Sequence, residues 1–249
     1  LFLIMRIKTE TTQFKKWIAD QEFYLKDFFP TINSNEIYPL DLSIHNKIVK
    51  NESEFNNPDY FTKQLNTIQK LNPNKIITGG YLEKRALYTS DIYNSESSLE
   101  KRNIHLGVDF WLPEKTQVHS LFDGKVICAH YQTDYKGYGG FIILQHTVDD
   151  FQFYTLYGHL SKDSISKFSK GDDIKVGSKI GELGNYKENG AWVPHLHFQI
   201  MLSLLDYKND FPGVVLESEI NFWKDICPDP NVLFKLKGLI LEKRFSSLP

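Results

Sequence analysis

At 249 residues the chain is long enough for one large domain or a domain with a substantial extension, and 41% hydrophobic with 14% aromatic content excludes a disordered chain. Its 29 basic and 31 acidic residues leave a formal net charge of -2, so the electrostatics point to neither nucleic acid nor an anionic membrane as partner. The opening Leu1-Phe2-Leu3-Ile4-Met5 run stops at Arg6, short of a signal-peptide core or a spanning helix, which predicts a cytoplasmic chain without membrane insertion, a periplasmic or secreted location being the alternative.

Residues 11 to 29 place Phe14, Trp17, Ile18, Leu25 and Phe28 on one helical stripe ending before Pro30, which predicts an amphipathic helix. Asn57-Pro58 supplies an N-cap and a first-turn proline for a second helix carrying Phe61, Leu65 and Ile68 and stopping before Pro73. Between them lies a polar connection with one short strand near Ile37 to Leu42. Residues 1–78 therefore read as a helix-rich N-terminal extension. From Gly79-Gly80 the character changes: Tyr81 to Tyr88 reads as an approach strand or turn, with Glu83 and Arg85 as solvated charges, a reach into a functional groove being the alternative.

Residues 104 to 201 are short strands punctuated by glycine turns. Asp123-Gly124 predicts a hairpin joining Val118–Phe122 to Lys125–Ala129. Phe141–His146 and Phe151–Tyr157 follow as strands, and Gly171 and Gly177 mark turns around Ile174. The fold class is mainly β, with an antiparallel unit over 79–201 and an irregular C-terminal segment, 202–249, wrapping it. Cys128 and Cys227 stand in unrelated contexts, which excludes a cysteine zinc knuckle and leaves at most one bridge.

The chemistry concentrates on histidines. In His195-Leu196-His197-Phe198 the pleat turns both imidazoles to one face and Leu196, Phe198 and Ile200 to the other. In His105-Leu106-Gly107-Val108-Asp109 the same alternation places His105 and Asp109 on one face with glycine between them. His105, Asp109 and one histidine of the pair form a nitrogen, nitrogen, oxygen set, the protein half of a catalytic zinc shell whose fourth position is left for water. Spacing does not choose between His195 and His197. His159 follows a glycine at the end of the aromatic strand, whereas His45, His119, His130 and His146 read as structural or solvated. Tyr138, Asn185 and Trp192 are candidate cleft residues.

Together His105-x-Gly107-x-Asp109, Leu156-Tyr157-Gly158-His159-Leu160-Ser161 and His195-Leu196-His197 resemble, in order and separation, the lysostaphin-type or LytM-like zinc metallopeptidases that cut peptide cross-links in bacterial cell walls. The resemblance covers about residues 79 to 201. It implies that His105, Asp109 and His197 bind one zinc ion and that His159 and His195 stay off the metal and act on the reacting groups. The chain is also similar to a narrower branch, in which Gly79-Gly80-Tyr81-Leu82-Glu83-x-Arg85 precedes the first motif and Cys227-Pro228-Asp229-Pro230-Asn231 closes the domain; some members are fused to kinase-like and aminotransferase-like modules.

The implied activity is zinc-dependent hydrolysis of a peptide bond in a peptide or peptidoglycan-derived substrate. No H-E-x-x-H glutamate is available as base, so the proton work falls to His159 and His195. The competing class is a non-catalytic module that keeps the fold and the metal while regulating a partner. A purely structural zinc conflicts with a three-ligand shell, since structural sites are closed by four protein ligands.

Overall fold

The computed structural model describes residues 2–34, 36–49, 51–85, 88, 91–95 and 100–235. Ala86 and Leu87 of the expected approach segment, and 236–249 of the C-terminal segment, lie outside the described residues. The expected single helix over 11 to 29 is two helices, α1 (Phe2–Ala19) and α2 (Leu25–Phe28). The interruption has a local cause: the Asp27 carboxylate accepts from the Tyr24 backbone N–H at 3.1 Å, starting a fresh first turn. The apolar stripe survives the break because both pieces cover one sheet face, with Phe14 against Phe153 at 5.4 Å and Phe28 against Phe198 at 4.9 Å between ring centroids.

Strand β1 (Glu36–Pro39) is followed by α3 (Glu52–Asn56), α4 (Pro58–Leu71) and β2 (Lys75–Gly79). Asn57 caps α4 as expected, its side-chain oxygen accepting from the N–H groups of Asp59 and Tyr60 at 3.1 Å each. Two helices between two strands make a crossover, and β1 accordingly pairs with β2 in parallel. The remaining strands are β3 (Ile104–His105), β4 (Val108–Trp111), β5 (Gln117–His119), β6 (Gly124–Tyr131), β7 (Gly140–Val148), β8 (Phe151–Leu160), β9 (Asp173–Ile174), β10 (Lys179–Glu182), β11 (His195–Met201) and β12 (Val214–Val215). One helical turn, α5 (Lys162–Ile165), interrupts them, and α6 (Ile220–Ile226) and α7 (Asn231–Phe234) follow.

Eight strands form one sheet in the order β1-β2-β4-β11-β8-β7-β6-β9, with β10-β5 and β12-β3 as separate pairs. The architecture is mainly β, but the sheet is mixed rather than purely antiparallel, because β1 runs parallel to β2. Residue 78, where the composition changes, falls inside β2, which pairs with β4; the N-terminal segment thus contributes two strands to the sheet that carries the site.

The Asp123-Gly124 hairpin does not form: β5 pairs with β10 and β6 with β7 and β9. Gly124 serves a close approach instead, since a Cβ there would stand 2.7 Å from His146 Nδ1 and 2.8 Å from the Gln145 carbonyl. Asp123 faces the neighbouring turn, accepting from the Val176 N–H at 2.8 Å. Among the described residues both cysteines are free thiols and buried. No helix among them is long and apolar enough to cross a membrane.

Candidate metal centre

The strand expected over 104 to 110 is broken at Leu106-Gly107, so His105 and Asp109 arrive from different sheets: β3 pairs with β12, whereas β4 lies beside β11. The break follows from crowding. A Cβ on Gly107 would fall 2.6 Å from His197 Cε1 and 2.7 Å from the Phe198 carbonyl, so only a bare backbone lets the His197 imidazole lie across it. In β11 the register sets His197 opposite Asp109 and His195 opposite Trp111. Leu196, Phe198 and Ile200 enter the core from the other face, as the alternation requires.

His105, Asp109 and His197 each offer a ligand atom within 4.8 Å of the others, and all three are buried. Asp109 Oδ1 lies 3.3 Å from His105 Nε2 and 3.3 Å from His197 Nδ1, and those two nitrogens are 2.9 Å apart. The hydrogen-bond network assigns the tautomers. His105 Nδ1 donates to the Gly80 carbonyl at 2.9 Å, which leaves Nε2 bare in the neutral ring, and burial, seconded by the Arg85 charge, pushes the His105 pKa down to about 4. Gln199 donates its amide to the Pro212 carbonyl and turns its oxygen to His197 Nε2 at 3.0 Å, so that Nε2 carries the hydrogen and Nδ1 is bare.

Asp109 Oδ1 is buried without a hydrogen-bond partner, whereas Oδ2 accepts from Arg85 Nη1 at 2.7 Å. Burial alone would raise the Asp109 pKa, but His105 and the Arg85 guanidinium hold the carboxylate well below its ordinary range. Three lone-pair atoms facing one point, with no donor among them, is a costly arrangement in a protein interior unless a cation sits between them. Two imidazoles and one carboxylate are the donor types zinc takes, and the three residues fit such an ion.

His159 and His195 stand beside this set with ring centroids 4.2 Å apart. His159 reaches it through a bulge: Gly140 pairs with Leu160 and Ile142 with Tyr157, so β8 holds two residues, Gly158 and His159, against one on β7. His159 accordingly has φ of 64°, a left-handed conformation, and Gly158 leaves room for the Tyr138 ring, 2.7 Å from where a Cβ would stand. His159 Nδ1 donates to the Asn189 carbonyl at 2.9 Å and His195 Nδ1 to the Val193 carbonyl at 2.7 Å, leaving both Nε2 atoms bare. His195 Nε2 is 3.8 Å from Asp109 Oδ1, farther than either nitrogen of the convergent set. Burial lowers the pKa of both rings, most strongly for His159, so each is a neutral base at neutral pH.

Cavities open on two sides of the centre. One is walled by Tyr93, Gln132, Tyr138, Trp192 and Asp210; the other reaches Phe55 and Phe61 of the N-terminal helices. Tyr138 and Trp192 thus line the cleft, while Asn185 closes a turn with Glu188 at 2.6 Å. The Tyr138 hydroxyl is buried and unpartnered among the described residues, and burial holds it protonated as a donor. Of the two sequence readings of Glu83 and Arg85, solvated charges or groups that reach the groove, the solvated one fails: each is 3% exposed, because the chain folds them inward behind Asp109. Sequence reasoning also missed Gln199, although its signal was present: alternation puts it on the face of His195 and His197.

Residues 103–208 match the family model described as Peptidase family M23. That stretch, less than half of the chain, is similar to this family. An uncharacterized metalloprotease of Buchnera aphidicola is 30% identical over 123 residues, 49% of this chain and 30% of that protein. Lysostaphin of Staphylococcus staphylolyticus is 30% identical over 141 residues, 53% of this chain and 26% of that protein. The glycyl-glycine endopeptidase ALE-1 of Staphylococcus capitis is 35% identical over 97 residues, 39% and 24%. The chain thus spans less than a third of the length of each of these relatives. Among solved structures, the catalytic domain of the antimicrobial peptidase lysostaphin from Staphylococcus simulans is 26% identical, covering 63% of this chain and 96% of that one at a TM-score of 0.37.

Proposed function

We propose that this chain carries an M23-type domain acting as a zinc-dependent endopeptidase or amidase, with peptidoglycan-type cross-link peptides as the substrate class. The observation that carries the reading is the convergence of His105 Nε2, Asp109 Oδ1 and His197 Nδ1, all bare and buried, beside two further neutral imidazoles. Zinc held by these three residues would supply Lewis acidity, lowering the pKa of water from 15.7 towards about 7 and polarising a substrate carbonyl.

The remaining work falls to the chain's own groups. Hydrolysis forms a C–O bond from water and breaks the C–N bond, so one proton must leave the water and one must reach the amine nitrogen. The bare Nε2 atoms of His159 and His195 are the acceptor and, once protonated, the donor for that transfer, each ring being fixed by its Nδ1–H bond to a backbone carbonyl. The Tyr138 hydroxyl offers a donor to the bound peptide from the cleft wall. ALE-1 is by name a glycyl-glycine endopeptidase, which favours a cross-link with small residues at the scissile bond.

The test is zinc by mass spectrometry together with amine release from peptidoglycan fragments and a glycine- and alanine-rich peptide library. About one zinc per chain and release that stops on chelation are expected. Zinc well below one per chain with none taken up on titration would refute the metal centre. Full zinc with no release from any substrate would favour the regulatory module, which retains the ligands without turnover.

A further inference from the structure

The matched family segment starts at residue 103, yet the back of the metal centre is built by residues before it. The Gly80 carbonyl fixes the His105 tautomer. Arg85 holds Asp109 Oδ2 through Nη1 at 2.7 Å and is itself anchored through Nε to Glu83 Oε2 at 2.8 Å, with the Tyr88 hydroxyl 3.0 Å from Nη1. Glu83 Oε1 in turn accepts from the Leu42 N–H at 2.9 Å. The segment is laced to the first motif by its backbone: Leu82 N–H donates to the His105 carbonyl at 2.7 Å, His105 N–H to the Glu83 carbonyl at 3.1 Å, and Arg85 N–H to the Asn103 carbonyl at 2.9 Å. Gly80, with φ of 133°, passes so close to the ion pair that a Cβ would stand 2.7 Å from Arg85 Nη2.

We infer that the segment from Gly80 to Arg85 is an outer bracket of the metal centre, and that Arg85 is a positioning residue which occupies Asp109 Oδ2 so that Oδ1 alone is offered to the metal. The inference rests on the metal reading above and deepens it. A buried charged triad is poor value for stability alone, since replacing one with apolar groups is often neutral or stabilising. Its geometry serves the ligands instead: two of the three are oriented from this one stretch. Groups behind the ligands typically change metal affinity by 10- to 100-fold when removed.

Arg85→Gln removes the charge and the fork, Arg85→Lys keeps the charge but not the paired contacts to Glu83 and Asp109, and Glu83→Gln loosens the anchor at nearly constant volume. Zinc dissociation constants by chelator competition are the readout, with thermal unfolding of the zinc-free proteins to confirm folding. Arg85→Gln is expected to weaken zinc by about 10- to 100-fold, and Arg85→Lys and Glu83→Gln by less in the same direction. Cobalt(II)-loaded Arg85→Gln should also lose visible absorption, because a second carboxylate oxygen then reaches the metal; a merely destabilised fold would not do this. Should Arg85→Gln fail to fold, Glu83→Gln carries the test. Zinc affinity within twofold of wild type in a folded Arg85→Gln, or in Glu83→Gln where the former does not fold, overturns the bracket and leaves the metal centre standing. A wild type that binds no zinc overturns both.

Discussion

His146, on β7 of the large sheet, and His105, on β3 of the β12-β3 pair, are both buried histidines, and burial pushes both pKa values down to about 4. They differ in what their nitrogens meet. His146 Nδ1 donates to the Asp123 carbonyl at 2.8 Å, and Nε2 accepts from the Thr155 hydroxyl at 2.7 Å, so its polar capacity is filled by the protein. His105 fills one nitrogen on Gly80 and turns the other toward a bare nitrogen and a bare carboxylate oxygen. Depth of burial therefore says nothing about metal binding here. The account of unfilled lone pairs does.

The strongest way to break this contrast is to remove a convergent atom. Asp109→Ala or His105→Ala leaves two protein ligands, so zinc stoichiometry by mass spectrometry should fall from about one to near zero and amine release should vanish with it. His146→Gln should keep its zinc while losing stability, on the order of 1–3 kcal/mol for the disturbed buried hydrogen bonds. Zinc retained by Asp109→Ala, or lost from a folded His146→Gln, would erase the distinction. Next in size is His159→Ala, which removes a bare nitrogen outside the convergent set. Zinc should persist while turnover drops by about 10²- to 10⁴-fold in steady-state assays. His195→Ala should follow His159→Ala rather than His197→Ala; loss of zinc from His195→Ala and its retention by His197→Ala would reverse the assignment within the pair.

Much of this centre was legible because its signals are local. Two-residue alternation sets His195 and His197 on one face, and Gly107 marks a close approach that the His197 ring makes real. What stayed hidden depends on contacts far apart in the chain. The sequence around Arg85 allows it a place at the groove but does not name its partner: that it meets Asp109, 24 residues on, and that the Leu42 N–H holds Glu83 depend on the fold. The Asp123-Gly124 pair carries a turn signature, but the glycine was required by His146, a residue on another strand. Likewise the stripe from Phe14 to Phe28 reads as one helix, because packing on one sheet face preserves the periodicity across the break that Asp27 makes.

Acid should separate His146 from the rest of the protein more gently. Its folded pKa of about 4 lies below the ordinary histidine value of about 6.5, so between those limits the unfolded chain binds a proton that the folded chain does not. Above pH 6.5 the ring is neutral in both states and contributes nothing to pH dependence; as pH falls toward 4 stability is lost, by up to ~3 kcal/mol. His146→Gln lacks this titration. In chelator-treated samples the stability gap between wild type and variant, measured by urea unfolding, should therefore narrow from pH 7 to pH 4.5. A gap that stays constant over that range would show that His146 is not the group taking up the proton.

The smallest expected effects come from the partners behind the rings, and they test the comparison most finely. Thr155 and Gln199 each hold the Nε2 of one buried histidine, but Thr155 donates to His146 whereas Gln199 accepts from His197. Thr155→Val removes the donor at constant shape and leaves one buried acceptor unfilled, which should cost about 1–3 kcal/mol of stability and leave zinc affinity unchanged. Gln199→Leu frees the His197 ring to turn and to exchange tautomers, so it should weaken zinc by about 10-fold or somewhat more, the lower end of what groups behind metal ligands contribute. Its stability loss should be similar to that of Thr155→Val, because Gln199 is fully buried and also donates to the Pro212 carbonyl. Unfolding curves alone would therefore not tell the two variants apart, and chelator competition would. Equal zinc affinity in both would mean that the His197 tautomer is held by the metal itself and not by the amide behind it.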